Sequence, residues 1–337
     1  MATIDDVAKL ARVSRSTVSH ALSGNRPISI EVKQRIFRVM EELDYRPNGL
    51  AKALKTKQTK IIALLFPSLR KDLSQLQLEF VNSALQSASE NNYSLLLSTV
   101  PIEEQKIVHF IEQGFVDGVV LLGVKLHDPR VDLLRNLKYP FSMIGHCEDN
   151  TGLFYIDLDF DMALEKSVQY LADLGHKHIG FINEAQPLLD LEFGAAVRAN
   201  TGFWRAIEQN NLIGLSYPCQ QDALAGYNLM RQMLAEQPQL SAIITINPWV
   251  ISGVNQAATE HGLKIPSDLS HISVVSSHYA EMLTPSLTAI DLPSSEMGRL
   301  GVEMLIRQLE DRKIQPIQQL LTPILTIRDS TQPYQAR

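Results

Sequence analysis

Two cysteines, Cys147 and Cys219, serve a chain of 337 residues. They are too few for a disulfide framework, and no pattern around them has the spacing of a zinc site. No stretch approaches the ~20 consecutive apolar residues of a membrane helix. Asp5 and Asp6 interrupt the start, so no export leader is read there. The short polar ending, Gln332 to Arg337, carries no heptads. A tetramer built on a terminal coiled coil is therefore not expected, and a homodimer is the default. There is no glycine-rich phosphate loop, and no Gly-x-Ser-x-Gly elbow for a nucleophile. These absences point to a soluble protein of a reducing cytoplasm, without cofactor or metal.

Charge is not absent but unevenly placed. The net charge is −6, yet residues 1–60 hold 12 Lys+Arg against 6 Asp+Glu, which leaves +6 there and −12 on the rest. A basic end on an acidic chain concentrates attraction for phosphate at that end.

The same sixty residues read as helices. Thr3 followed by Asp6 resembles a capping box, and Ile4, Val7, Ala8 and Ala11 fall on one apolar face. Arg12-Val13 makes a turn. Ser14 caps a second helix, with Val18, Ala21 and Leu22 inward and Arg15, Ser16, Ser19 and His20 outward. Ser29 caps a third, with Val32, Ile36, Val39, Met40 and Leu43 inside. Spacing alone leaves open an ordinary small bundle with a solvated face. The basic charge favours a helix-turn-helix whose second helix enters the major groove. Arg15 then has the fork geometry for a guanine edge, and Ser16 or His20 can reach base or phosphate.

Beyond residue 60, apolar runs alternate with amphipathic stretches. Ile61–Phe66, Ser94–Ser98, Gly118–Gly123, His178–Ile182, Ala242–Ile246 and Ile272–Val275 read as buried parallel strands. Glu79–Asn91 and Leu164–Leu174 read as helices between them. This alternation predicts an α/β body with doubly wound parallel sheets, and the length suits two lobes.

The strings Thr3-Ile4-Asp5-Asp6-Val7-Ala8, Val13-Ser14, Thr17-Val18-Ser19, Tyr45-Arg46-Pro47-Asn48 and Leu50-Ala51-Lys52-Ala53-Leu54 resemble the lactose-repressor and galactose-repressor family of bacterial transcriptional regulators. The resemblance continues to Arg328-Asp329-Ser330-Thr331. It implies a DNA-binding head at 1–46 and a hinge helix and linker at 47–58. It implies an effector-binding and dimerisation core at 59–337 with a two-lobed, periplasmic-binding-protein-like fold. The lobes are expected at about 59–160 with 291–320, and about 161–290 with 321–331. The implied DNA contacts are Thr3, Ser14, Arg15, Ser16, Thr17, Ser19, His20, Ser29, Tyr45, Asn48, Ala51, Lys52 and Leu54. Leu54 matches a leucine that wedges between base pairs, where unstacking costs a few kcal/mol per step and is offset by contact with bent DNA; its plain alternative is a linker core leucine. His20 departs from the arginine usual at its place, so operator sequence is left open. Arg12 departs from the usual small turn residue, at ~1 kcal/mol if its backbone is left-handed.

The resemblance also implies a small-molecule effector between the lobes, a sugar or related metabolite, held by Asn247, Trp249, His278 and Arg198. The departures are many here. Asn247 is followed by Pro248-Trp249 instead of an acid, His278 stands at an Asp position, and Arg198 is one residue off the usual arginine, which is Ala199. One residue is about 100° around a helix. The cleft is therefore expected to be less anionic and more aromatic than its relatives', serving either an unusual ligand or none. Ser276-Ser277-His278 and His176-Lys177-His178 invite catalytic or metal readings, but strand neighbours point to opposite faces and no enzyme is expected. The expected function is a dimeric regulator, most simply a repressor, of double-stranded palindromic operator DNA. A solute receptor without a DNA role is the alternative, and the head separates the two.

Overall fold

A computed structural model describes residues 2–23, 26–46, 58–65, 73–98, 107–108 and 111–335. The chain divides into two compact units, Met1–Thr59 and Lys60–Arg337.

The first unit contains α1 (Ile4–Leu10), α2 (Arg15–Ser23) and α3 (Ile30–Glu42). Each begins where a hydroxyl satisfies free amides. Thr3 and Asp6 cap α1 reciprocally, Thr17 N–H donates to Ser14 Oγ at 3.1 Å, and Val32 N–H donates to Ser29 Oγ at 3.4 Å. Arg12 has φ +54°, so the tight turn after α1 carries the left-handed strain expected of a side-chain-bearing residue. Val7, Ala8, Ala11, Val18, Ala21, Ile36, Val39 and Met40 form the core. Arg35 Nε donates to Ala11 O at 2.9 Å, which ties α3 to the end of α1.

The second unit holds two six-stranded sheets. Its elements are β1 (Ile61–Leu65), α4 (Gln75–Glu90), β2 (Ser94–Ser98), β3 (Gly118–Leu122), α5 (Pro129–Asn136), β4 (Phe141–Ile144), β5 (Tyr155–Leu158) and α6 (Phe160–Asp173). There follow β6 (His178–Asn183), α7 (Gln186–Asp190), α8 (Gly194–Gln209), β7 (Ile213–Pro218), α9 (Ala223–Glu236), β8 (Ala242–Thr245) and α10 (Ile251–Glu260). The last are β9 (Ser270–Val275), α11 (Ser277–Met282), β10 (Thr288–Asp291), α12 (Ser294–Glu310), β11 (Gln318–Leu321) and β12 (Leu325–Thr326). One sheet runs β11-β5-β4-β3-β1-β2 and the other β12-β10-β9-β8-β6-β7; only β12 is antiparallel to its neighbour. The chain therefore passes between sheets three times, after β5, after β10 and after β11.

Several elements differ from the sequence reading. α4 starts at Gln75, four residues before Glu79, because Ser74 and Gln77 form a capping box. β2 is parallel, as read, but not buried. It is an edge strand, and Leu96 and Leu97 are each 40% exposed. β4, β5, β7 and β10 to β12 were hidden in sequence because they are short or interrupted by polar residues. β6 registers with β8 through Ile179↔Ala242 to Ile182↔Thr245. α8 lies so close to α6 that a Cβ on Gly202 would fall 2.2 Å from Asp161 O.

A polar cluster sits within this apolar frame. His271 is fully buried on β9, with Nδ1 2.8 Å from Asn255 Oδ1 and Nε2 3.2 Å from Thr245 Oγ1. Burial pushes its imidazole down to about 3, so the folded chain holds it neutral while the unfolded chain protonates it near 6.5. The unfolded state binds the extra proton at acid pH, so this contribution is intact above about 6.5 and is lost as pH falls towards 3. Unfolding free energies from urea titrations between pH 7 and pH 5 should fall more steeply for the native chain than for His271→Gln, by up to about 1.4 kcal/mol per pH unit. Parallel slopes would contradict this.

Candidate nucleic-acid interface and effector cleft

On the head, the packing of Val18 and Ala21 turns the other side of α2 outward. Arg15 and Ser16 are exposed, while Thr17, Ser19 and His20 are half-buried. The Arg15 guanidinium lies 3.7 Å from the Asp5 carboxylate, both well exposed, an arrangement worth little in stability. Ser14 Oγ is 2.7 Å from Ser16 Oγ and 2.8 Å from Thr17 Oγ1. These hydroxyls form a connected patch at the start of α2, where backbone N–H groups face outward and favour anions. Thr3 and Ser29 are also cap residues, so their side chains are engaged with their own helices. Hydrogen bonds from Thr3 hold the Asp6 carboxyl below its usual range. Tyr45 packs on the head core. Asn48, Ala51, Lys52 and Leu54 lie outside the described residues.

In the body, α/β sheets hold ligands at the carboxyl ends of their parallel strands, and that rule bears on the sequence-predicted effector residues. Asn247 follows β8 and is fully buried. Its Oδ1 accepts from Trp249 N–H at 3.1 Å and its Nδ2 donates to Cys219 O at 3.4 Å, so its amide shapes the turn into α10. Trp249 is half-buried, whereas His278 is exposed on the first turn of α11. Arg198 does not line up with the other three. Its Nη1 donates to His146 O at 3.1 Å and its Nη2 to Cys147 O at 3.0 Å, across from one sheet's helix to the other sheet's strand end. The His146 ring is set by Asp157, with Nδ1 2.8 Å from Oδ2, and stacks on Tyr155.

Two carboxyl groups that the sequence reading passed over lie close to strand ends. Glu184 directly follows β6, is half-buried, and accepts from Gln221 Nε2 at 3.0 Å. Burial raises it to about 7, against the opposing pull of the Gln221 bond. The neighbouring Cys219 thiol is pushed up to about 11 by burial, with Asp222 and Glu184 adding to the effect. Glu79, on α4 of one sheet, accepts from Ser276 Oγ at 2.8 Å and from Ser294 Oγ, at the starts of α11 and α12. The two positions named in the sequence reading still carry no acid, and Glu184 and Glu79 are carboxyl groups that reading did not consider. The strand-end rule, applied to the run His178–Asn183, would have singled out Glu184.

The geometry does not pair Ser276 with His278 as nucleophile and base. Ser276 Oγ serves Glu79 and accepts from Tyr279 N–H at 3.3 Å, and it has no bond to His278. His176 spends its ring nitrogens on Ser241 Oγ at 3.0 Å and Gln332 O at 3.2 Å, which pins the chain end.

Residues 3–48 match the family described as bacterial regulatory proteins, lacI family, and residues 168–331 match the periplasmic binding protein-like domain. The ribose operon repressor of Escherichia coli (strain K12) is 30% identical over 338 residues, 98% of this chain and 100% of the repressor. The HTH-type transcriptional repressor PurR of Pasteurella multocida (strain Pm70) is 28% identical over 340 residues, 98% of each chain. Among solved structures, the lac repressor dimer bound to operator and the anti-inducer ONPF has a TM-score of 0.84 at 23% identity, covering 98% of this chain and 99% of that one. A regulator of this family from Enterococcus faecium with bound ribose has a TM-score of 0.71 at 18% identity, over 82% of this chain and 100% of that one.

Glu184 has a folded value above its unfolded one, so its ionisation works against folding as pH rises through 7. Glu184→Gln should therefore gain stability relative to the native chain between pH 5 and pH 8, measured by thermal unfolding. A constant difference across that range would mean that Glu184 ionises as an ordinary surface acid.

Proposed function

The chain belongs to the lacI family of bacterial regulatory proteins, and from that premise we propose a cytoplasmic, homodimeric repressor whose grip on a palindromic operator is set by a small molecule between its lobes. It is a DNA-binding transcriptional regulator. The observation that carries the finer reading is the capped head, with the Arg15–His20 face of α2 left free of the core. Arg15 and Ser16 read base edges in the major groove, and Ser14, Thr17, Ser19 and His20 hold base or backbone. The cap hydroxyls of Thr3 and Ser29 and the Tyr45 ring set the head on the phosphates. Asn48, Ala51, Lys52 and Leu54 act at the centre of the site, with Leu54 as the wedge. Cys147 and Cys219 are free buried thiols, which suits a reducing compartment. Among the described residues no helix is long and apolar enough to cross a membrane.

The dimer face follows from the exposed edge. Leu78 and Leu85 on α4 are 39% and 53% exposed, and Leu96 and Leu97 of the edge strand β2, which contacts α4, are 40% exposed each. A second copy would cover this apolar area and the unpaired strand edge together.

The effector reading joins Glu184, Gln221 and Trp249 at adjoining strand ends, with Asn247 shaping the turn that carries Trp249 and His278 exposed on α11. A partly protonated carboxyl both donates and accepts hydrogen bonds, which suits hydroxyl-bearing ligands. The ribose operon repressor and the ribose-bound relative support a sugar or related metabolite. Arg198 is better assigned to the frame than to the ligand. The chain does no covalent chemistry on this reading.

DNA selected from a random pool by the full chain tests the base readers. With Arg15→Ala, preference should relax at one position per half-site at a cost of about 1–3 kcal/mol; an unchanged selected sequence would remove Arg15 from that role. Leu54→Ala should weaken selected DNA far more than random DNA, and equal losses would reject the wedge. Leu85→Asp combined with Leu97→Asp should give monomers by light scattering. Dimers that survive both changes would move the interface elsewhere.

A further inference from the structure

Where β3 ends, the backbone of residues 124–126 leaves its own sheet and pairs with residues 192–194, which lead into α8 of the other sheet. Leu126 N–H donates to Glu192 O at 2.8 Å, and Gly194 N–H donates to Val124 O at 3.0 Å. Lys125 and Phe193 face each other as an antiparallel bridge. Three further contacts reinforce the join. His127 Nδ1 lies 3.0 Å from Glu192 Oε2, and Arg198 reaches two carbonyls beyond β4, those of His146 and Cys147. The β3 side of the join is braced. Asp128 and Arg130 form a buried ion pair at 2.6 Å, and Arg130 Nη2 also donates to Gly123 O at 2.7 Å, which fixes the loop after β3. A side chain at Gly194 would displace the Arg198 guanidinium and crowd the paired backbone. A Cβ there would lie 2.5 Å from Arg198 Nη1, 3.2 Å from His146 O and 3.3 Å from Val124 O.

We propose that this pairing, keyed by Gly194 and Arg198, is a main-chain clasp that sets the angle between the two lobes and, through it, operator affinity. The proposal rests on the reading that lobe geometry governs DNA binding. It assigns Arg198, Gly194 and the Lys125/Phe193 bridge a positioning role. Side-chain contacts across a cleft can slide or re-pair through water, whereas two backbone bonds admit one register. The clasp is made entirely of protein groups, so an effector that shifts the lobes must make or break it. Its differential affinity for the clasped and unclasped states is then the source of its regulatory effect.

The bond pattern makes the clasp testable. Lys125 and Phe193 form the non-hydrogen-bonded type of antiparallel pair, with Cα atoms ~4.5 Å apart, within the range a disulfide bridges. In the full chain, Lys125→Cys with Phe193→Cys should cross-link on treatment with diamide, seen by intact mass and peptide mapping. Adding Gly194→Ala should slow that cross-linking by roughly tenfold or more, since a tenfold shift needs only ~1.4 kcal/mol. Arg198→Ala should slow it less, and serves if the alanine at 194 disturbs folding. On DNA selected by the native chain, the locked form and the Gly194→Ala form should differ in affinity by about 5- to 150-fold, the usual span of coupling between sites. The proposal is overturned if positions 125 and 193 do not cross-link while both thiols react after unfolding. It is also overturned if cross-linking ignores both Gly194→Ala and Arg198→Ala. Equal DNA affinity of locked and unlocked chains overturns it too, and leaves the regulator reading intact. A native chain that selects no DNA would instead strike at the regulator reading itself.

Discussion

Parallel strand pairing is the constraint from which the body follows. Parallel neighbours cannot be joined by tight turns, so every link must cross the sheet and return. Among the described residues, all but one strand pairing is parallel. The carboxyl ends of the strands therefore gather on one edge of each sheet, and so do the loops that follow them. Glu184, Cys219, Asn247 and Ser276 are neighbours for this reason alone, although they are scattered over almost a hundred positions of sequence. The same constraint places Lys125 and His146 together on the other lobe.

The head was legible in sequence because its information is local. Thr3 with Asp6, Ser14 with Thr17 and Ser29 with Val32 are each three residues apart, and the helices start where those pairs put them. The strain at Arg12 was equally visible, because a turn that short demands a left-handed residue. The doubly wound body was legible as an alternation of runs. Its edges were not: β2 reads as Ser-Leu-Leu-Leu-Ser whether it is central or bare, and only the strand order reveals which.

The cleft was the least legible part. Arg198 bonds carbonyls 51 and 52 positions away, and a backbone acceptor leaves no trace in side-chain chemistry. Asn247 carries the residue type of a ligand contact but spends its amide on the turn that follows it. Glu184 was missed for the opposite reason. It sits in a run of ordinary residues, and its unusual ionisation arises wholly from what the fold packs around it. Glu79 was missed likewise, because its partners Ser276 and Ser294 lie some two hundred positions away in sequence.

The pairing of Arg15 with Asp5 bears on how the head searches. A bare arginine exchanges water for any phosphate it meets, so it adheres wherever the duplex is. Arg15 already has an anion of its own at 3.7 Å. To take up DNA it must leave that carboxylate, which then stands beside the polyanion and is repelled. A random site offers little beyond charge to offset the exchange, whereas a correctly placed guanine offers two directed hydrogen bonds. On the proposed reading of Arg15, this weak, exposed pair would tilt the exchange only slightly towards the matched site.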